Sequence, residues 1–221
     1  MIPVSVLVVA KAPVPGLAKT RLAAALGAEA AADIAAAALL DTLDAVAAAP
    51  VAARVVAMTG DLGAAQRSAE LRSRLDAFTV IEQRGPDFAD RLVNAHADTA
   101  VATGGLPVLQ IGMDTPQVSA ELIGRCARTL SGGRAVLGMA RDGGWWVLGV
   151  TDAATAGCLR EVPMSAPDTG AVTLAALRHT GVDVELVCEL ADVDTLDDVA
   201  GVRDACRPGS RFVAATAAAV A

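Results

Sequence analysis

Residues 4–10 (VSVLVVA) form an apolar run of strand length, the pattern of a central parallel strand buried on both faces. A loop holding Pro13, Pro15 and Gly16 breaks it. A short helix is predicted from about Ala18 to Leu26, stopped by Gly27. A second helix runs over 28–48 and ends before Pro50. Further strands are predicted at 53–58, 78–82, 107–111, 134–139, 145–150 and 183–188, with helices at 87–103, 119–130, 169–180 and 195–206. Asp194 and Asp197 read as the cap of the last helix, and the pairs Gly104–Gly105 and Gly132–Gly133 read as turns.

Strands separated by helices predict an α/β fold: a single Rossmann-like three-layer α/β/α domain with a mostly parallel sheet, over residues 1–206. Residues 207–221, Ala-rich after Phe212, read as a partly disordered tail. In such sheets ligands bind outside the carboxyl ends of the strands, so the chemistry belongs to the loops there.

With no Tyr, two Trp and three Phe among 221 residues, the core has to be built from Ala, Val and Leu; the Ala-rich helices read as compositional bias. A net charge of −7 argues against a nucleic-acid surface. Phosphorylated small molecules stay open, since they need only a local positive pocket and a metal ion. The apolar start MIPVSVLVVA is too short to span a bilayer and reads as a buried strand, so no membrane insertion and a cytoplasmic location are expected. Cys126, Cys158, Cys188 and Cys206 form no C-x-x-C pair and no zinc pattern; buried free thiols are expected.

The loop after the first strand, KAPVPGLAKTRL, places Lys11, Lys19 and Arg21 around a Pro/Gly turn that enters a helix. Cations and helix N–H groups together suit phosphate oxygens, although such a loop can also simply face water. It lacks the first glycine of a Walker A loop. Asp114 lies just past the strand ending at Gly112, where a hard Mg2+ or Mn2+ would find carboxylate oxygen; a turn-forming Asp is the other reading. Asp142-Gly143-Gly144 reads as a hairpin turn whose glycines also permit close approach to a ligand. Asp192 and Asp194 follow the last strand, Asp194 doubling as a cap. Thr169 and Thr173 near a helix start are candidate ligand contacts, Asp168 being explained as an N-cap. His96 and His179 read as structural or exposed.

These segments resemble the nucleotide-diphospho-sugar transferase superfamily, the glycosyltransferase type A fold. Lys-Ala-Pro-x-Pro-Gly-x-x-Lys-Thr-Arg-Leu at 11–22 resembles in particular the radical-SAM/selenodomain-associated transferases, formerly a domain of unknown function. QRGPDFADRL (83–92), IGMDTP (111–116) and DGGWW (142–146) are similar to that family's further motifs, with Phe88, Ala89, Met113, Thr115 and the tryptophans as departures. The resemblance implies that Lys11, Ala12, Pro13, Gly16, Lys19 and Arg21 contact nucleotide phosphates. It implies that Gln83 and Gly85 read the base and that Arg91 reaches a phosphate. Asp114, with Asp192 and Asp194, would bind one or two Mg2+ or Mn2+ ions. Asp142, Gly143, Gly144, Trp146 and Thr169 would line the sugar or acceptor site, with Asp142 a candidate base and Lys19 a second catalytic group. The implied partners are a nucleotide-sugar, or a nucleoside triphosphate, and a small-molecule acceptor. The expected reaction is sugar transfer from a nucleotide-diphosphate donor. The alternatives are nucleotidyl transfer from a triphosphate with release of pyrophosphate, and nucleotide binding without turnover.

Overall fold

The structure is a computed structural model that describes residues 1–220. The chain opens with β1 (Ile2–Lys11), α1 (Thr20–Leu26), α2 (Ala28–Ala48), β2 (Val51–Thr59), α3 (Ser68–Leu75), β3 (Thr79–Glu82) and α4 (Phe88–Ala102). It continues through β4 (Val108–Ile111), α5 (Ala120–Ser131), β5 (Ala135–Ala140), β6 (Trp145–Val150) and a 3-10 segment, Ala153–Glu161. α6 (Thr169–His179), β7 (Val184–Leu190), α7 (Leu196–Ala205) and α8 (Arg211–Val220) complete it. Seven strands form one sheet in the order β3-β2-β1-β4-β6-β5-β7. β6 runs antiparallel to β4 and β5, and the other pairings are parallel. The carboxyl ends of β1, β4, β5 and β7 therefore share one edge, together with the start of β6.

Alternation along the strands supplies two cores. On one face Val4, Val6 and Val8 of β1 pack with Leu39, Leu40 and Leu43 of α2 and Ile123 and Leu130 of α5. On the other, Leu7 and Val9 pack with Leu92 and Val93 of α4, Leu159 and Leu177. A third cluster lies outside α2, where Leu22 of α1, Val199 and Val202 of α7 and Phe212 of α8 meet Ile34 and Ala38.

This outer layer corrects two expectations. The C-terminal segment is not a frayed tail, because residues 211–220 form α8 and Phe212 is fully buried. Asp41 accepts from the backbone N–H groups of Arg211 and Phe212, and the Arg211 guanidinium pairs with Asp41, Asp44 and Glu70. The alanines of α2 have a packing reason: the helix lies between the sheet and the outer layer, with Ala31, Ala32 and Ala35–Ala38 all buried, and a helix covered on several sides is apolar all round. α3 and the 3-10 segment arise where no element was predicted.

The last cap is shifted by one residue. Thr195 and Asp198 form the capping box of α7, which frees Asp194. Asp168 makes no side-chain cap bond. The four cysteines are free, but only Cys126 and Cys206 are buried, whereas Cys188 is exposed. Burial pushes the Cys126 thiol up to about 11 and the Cys206 thiol up to about 12, so both stay protonated. Among the described residues no helix is long and apolar enough to cross a membrane.

Candidate active site

Four chain segments meet at the shared edge: the loop after β1, the loop after β4, the β5–β6 turn and the loop after β7. The first is a compact knot. Ala12 is fully buried and its N–H donates to the Thr59 carbonyl, while the Pro13 carbonyl accepts from Gln66 N–H. The Lys11 ammonium donates to the Leu17 carbonyl at 2.8 Å, folding the loop back on itself. Gly16 turns it with φ of 76°, and Lys19 adopts the left-handed conformation at φ 47° just before α1. A residue other than glycine is strained there, and the Lys19 side chain is largely buried.

The Lys19 ammonium sits among acids. Lys19 Nζ lies 2.8 Å from Asp114 Oδ2 and 3.8 Å from Asp194 Oδ1, and Arg21 pairs with the other oxygen of Asp194. Burial alone would lower the Lys19 pKa, but Asp114, then Asp194 and Asp192, more than offset it and hold it above its ordinary value. Asp192 is pushed up to about 6 by burial first, then by Asp114 and Asp142. The loops bearing these acids are tied together, since Val193 N–H donates to the Asp114 carbonyl and Gln117 Nε2 to the Ala191 carbonyl. The carboxylates thus form one cluster that Lys19 neutralises in part. As placed, no three His, Cys, Asp or Glu side chains among the described residues chelate a common point.

The β5–β6 turn is held by Asp142, whose Oδ1 accepts Gly144 N–H at 2.8 Å. Gly143 (φ 92°) lies so close to the 163–168 segment that a Cβ would stand 1.8 Å from the Pro167 carbonyl oxygen. Its role is close packing, sealed by the Gly170 N–H donating to its carbonyl. Trp146 is core: it is 2% exposed and its indole N–H donates to the Cys188 carbonyl at 2.9 Å. Gly138 makes room for that ring, since a Cβ there would meet Trp146 Nε1 at 2.4 Å. The half-buried Trp145 is the tryptophan free to offer its ring to a ligand. Thr169 spends its hydroxyl on Pro163 O and Ala166 N–H, and Thr173 is fully buried and bonds back to Thr169 O.

Between these segments lies a cleft of about 540 Å3, a size suited to a small molecule. Of the residues expected at a site, Lys11, Gln83, Arg91, Asp114, Asp142, Gly144, Trp146, Thr169 and Asp192 line it. Ala12, Pro13, Gly16, Lys19, Arg21, Gly85, Gly143 and Asp194 stand behind or beside it. Gln83 commits its amide N–H groups to the Ala10 and Ala57 carbonyls. Gly85 is required by the approach of α4, as a Cβ would stand 2.9 Å from Arg91 N. Trp145, which the sequence named only beside Trp146, also lines the cleft, as do Met164 and the buried Gln110, which sequence reasoning passed over. Trp145 had a signal, its place beside Trp146; Gln110 had none, since a single polar residue in a strand does not show which way it faces.

The sheet order and this edge define the class: the fold is that of the nucleotide-diphospho-sugar transferases. A protein of Desulfovibrio desulfuricans G20 provisionally named such a transferase superposes with a TM-score of 0.83 at 23% identity, covering 100% of this chain and 97% of that one. The 4-diphosphocytidyl-2C-methyl-D-erythritol synthase of Anaerococcus prevotii DSM 20548 gives 0.59 at 12% identity over 99% and 96% of the chains. Rv0371C of Mycobacterium tuberculosis H37Rv, in complex with manganese, gives 0.54 at 18% over 90% and 97%. The chain belongs to the family described as uncharacterized proteins conserved in bacteria (DUF2064), matched over residues 42–166. That stretch holds Gln83 to Asp142, whereas the first loop and the Asp192–Asp194 loop lie outside it. No curated protein matches the chain.

Proposed function

We propose that the protein is a metal-dependent transferase that takes a nucleotide-diphosphate sugar and passes the sugar to a small-molecule acceptor. The observation that carries this reading is the gathering of Asp114, Asp192 and Asp194 around the Lys19 ammonium, beside a cleft lined by Lys11 and Arg91. The donor set suits a divalent ion. It is all carboxylate oxygen, the preference of Mg2+ and Mn2+, and Asp192 is raised by burial first and then by its acidic neighbours Asp114 and Asp142. Asp114, Asp192 and Asp194 would hold the ion. When bound, it would neutralise a diphosphate leaving group.

The chain's own groups do the rest. Lys11 and Arg91 bind phosphate oxygens within the cleft. Lys19 and Arg21, exchanging their carboxylate partners for phosphate, add positive charge where the leaving group develops negative charge. Gln83 Oε1 accepts an N–H of the base. Asp142, which makes no ion pair among the described residues, takes the proton of the acceptor hydroxyl. The Mycobacterium tuberculosis relative with manganese supports the ion.

A second reading, nucleotidyl transfer onto a phosphorylated substrate, draws support from the diphosphocytidyl synthase of the same fold. Product analysis separates the two. Incubated with a panel of UDP-, GDP-, ADP-, CDP- and dTDP-sugars and Mn2+, the protein should release a nucleoside diphosphate from one donor by slow hydrolysis, and none with EDTA. Pyrophosphate released from a triphosphate in the presence of sugar phosphates would favour the second reading. Neither product would reject both.

A further inference from the structure

Gln110 is a polar residue in the middle of the sheet. It sits on β4, opposite Leu7 of β1 and Leu148 of β6, and is 3% exposed. A buried amide is costly unless it is paired, and this one has half a partner. The ring of His96 on α4, itself fully buried, places Nε2 2.9 Å from Gln110 Oε1. His96 Nδ1 is sealed from solvent and has no partner among the described residues. A proton on Nδ1 would be an orphaned buried donor, the more expensive arrangement. The proton therefore belongs on Nε2, where it donates to Gln110 Oε1. Burial keeps the imidazole neutral, its pKa pushed down to about 4.

Fixing the oxygen fixes the nitrogen. The Gln110 NH2 makes no hydrogen bond to protein among the described residues, it is not among the sealed atoms, and the residue lines the cleft. The cleft lining on its α4 side includes Val9, Leu92, Trp145 and Met164, which pack in one core. A neutral donor in an apolar and aromatic surround does not suit a phosphate. It suits an uncharged ring with apolar C–H faces and oxygen acceptors at its rim.

Position along the cleft says which ring. Gln83 bridges the carbonyls of Ala10 on β1 and Ala57 on β2, whereas Gln110 lies on β4, across β1 from β2. Lys11 stands between them at the end of β1. A ligand with its phosphates at Lys11 and its base at Gln83 extends its remaining ring toward Gln110.

We propose that Gln110, oriented by His96, donates a hydrogen bond to an oxygen of the transferred sugar and so helps determine which sugar is accepted. His96 is the positioning residue. This rests on the nucleotide-sugar reading above.

The test is calorimetric titration, with Mn2+, of each nucleotide-sugar and the matching bare nucleoside diphosphate into wild type, Gln110→Met, Gln110→Glu and His96→Phe. Gln110→Glu keeps an acceptor for His96 and so protects the fold if Gln110→Met does not. Loss of one neutral hydrogen bond should weaken the nucleotide-sugar about tenfold, and the bare diphosphate should bind all four proteins alike. His96→Phe should lower sugar-bearing affinity selectively, whereas a merely structural histidine would move both probes together. Equal effects on the two probes, or none, would overturn the inference and leave the nucleotide reading intact. A wild type that binds neither probe would refute that reading and this inference with it.

Discussion

Lys19→Met removes the ammonium that lies 2.8 Å from Asp114 and 3.8 Å from Asp194 while keeping much of its stem. Asp194 retains Arg21, but Asp114 is left without a cation and Asp192 loses a favourable neighbour. Deleting one partner of a fully buried pair costs about 3–5 kcal/mol. Here the Asp114 and Asp194 side chains are 31% and 34% exposed, so water recovers part of the loss and about 1–3 kcal/mol is expected. For a chain of this length, 2 kcal/mol corresponds to about 4–8 °C in Tm. Scanning fluorimetry in EDTA should show that drop. Millimolar Mn2+ should then stabilise the variant more than wild type, because the ion no longer competes with the ammonium for the carboxylates. A Tm unchanged in EDTA, or equal Mn2+ shifts in the two proteins, would refute the claim that Lys19 occupies the cation seat of the acidic cluster.

Three further outcomes follow from the packing. His96 binds its proton only near pH 4 when folded, against the ordinary value of 6.5. The unfolded chain therefore takes up the proton first as pH falls, and stability present above pH 6.5 is lost down to about pH 4, by about 3 kcal/mol in all. Urea denaturation at pH 7.5 and 4.5 should show most of this loss in wild type and much less in His96→Asn; equal losses would contradict it. Gly143→Ala should destabilise by at least about 3 kcal/mol, because both its φ of 92° and the 1.8 Å approach to Pro167 O exclude a Cβ; limited proteolysis should then cut within 163–168. Phe212→Ala should cost about 3–5 kcal/mol in the same denaturation assay, where a frayed tail would cost nothing.

Periodicity and turn residues carried much of the fold. The boundaries of α2 came directly from Gly27 and Pro50, and the apolar runs marked all seven strands. α3 escaped because SAELRSRL has only two large apolar residues, Leu71 and Leu75, too few to set a period. α8 escaped because Ala-rich sequence looks the same whether it packs or frays; Asp41, far away in the chain, decides it by capping α8. Two overlapping Asp-x-x-Asp-like caps compete at 194–198, and only geometry chose Thr195 with Asp198. Which tryptophan would be core could not be read from alternation, because the β5–β6 pairing shifts register between Gly138 and Met139. At the site, the loops were legible and the pairings were not. Lys19 was expected at phosphates, and its contacts with Asp114 and Asp194 join residues 95 and 175 positions apart. The His96–Gln110 pair across α4 and β4 is of the same kind.

The central claim is a metal-dependent nucleotide-sugar site built on Asp114. A thermal-shift panel of UDP-, GDP-, ADP-, CDP- and dTDP-linked sugars and nucleoside triphosphates, each with Mg2+, Mn2+ or EDTA, tests it most directly on wild type and Asp114→Ala. The account predicts a rise in Tm with one nucleotide-sugar, dependent on the metal and lost in the variant. No shift at millimolar ligand, or a shift that survives both EDTA and Asp114→Ala, would contradict it.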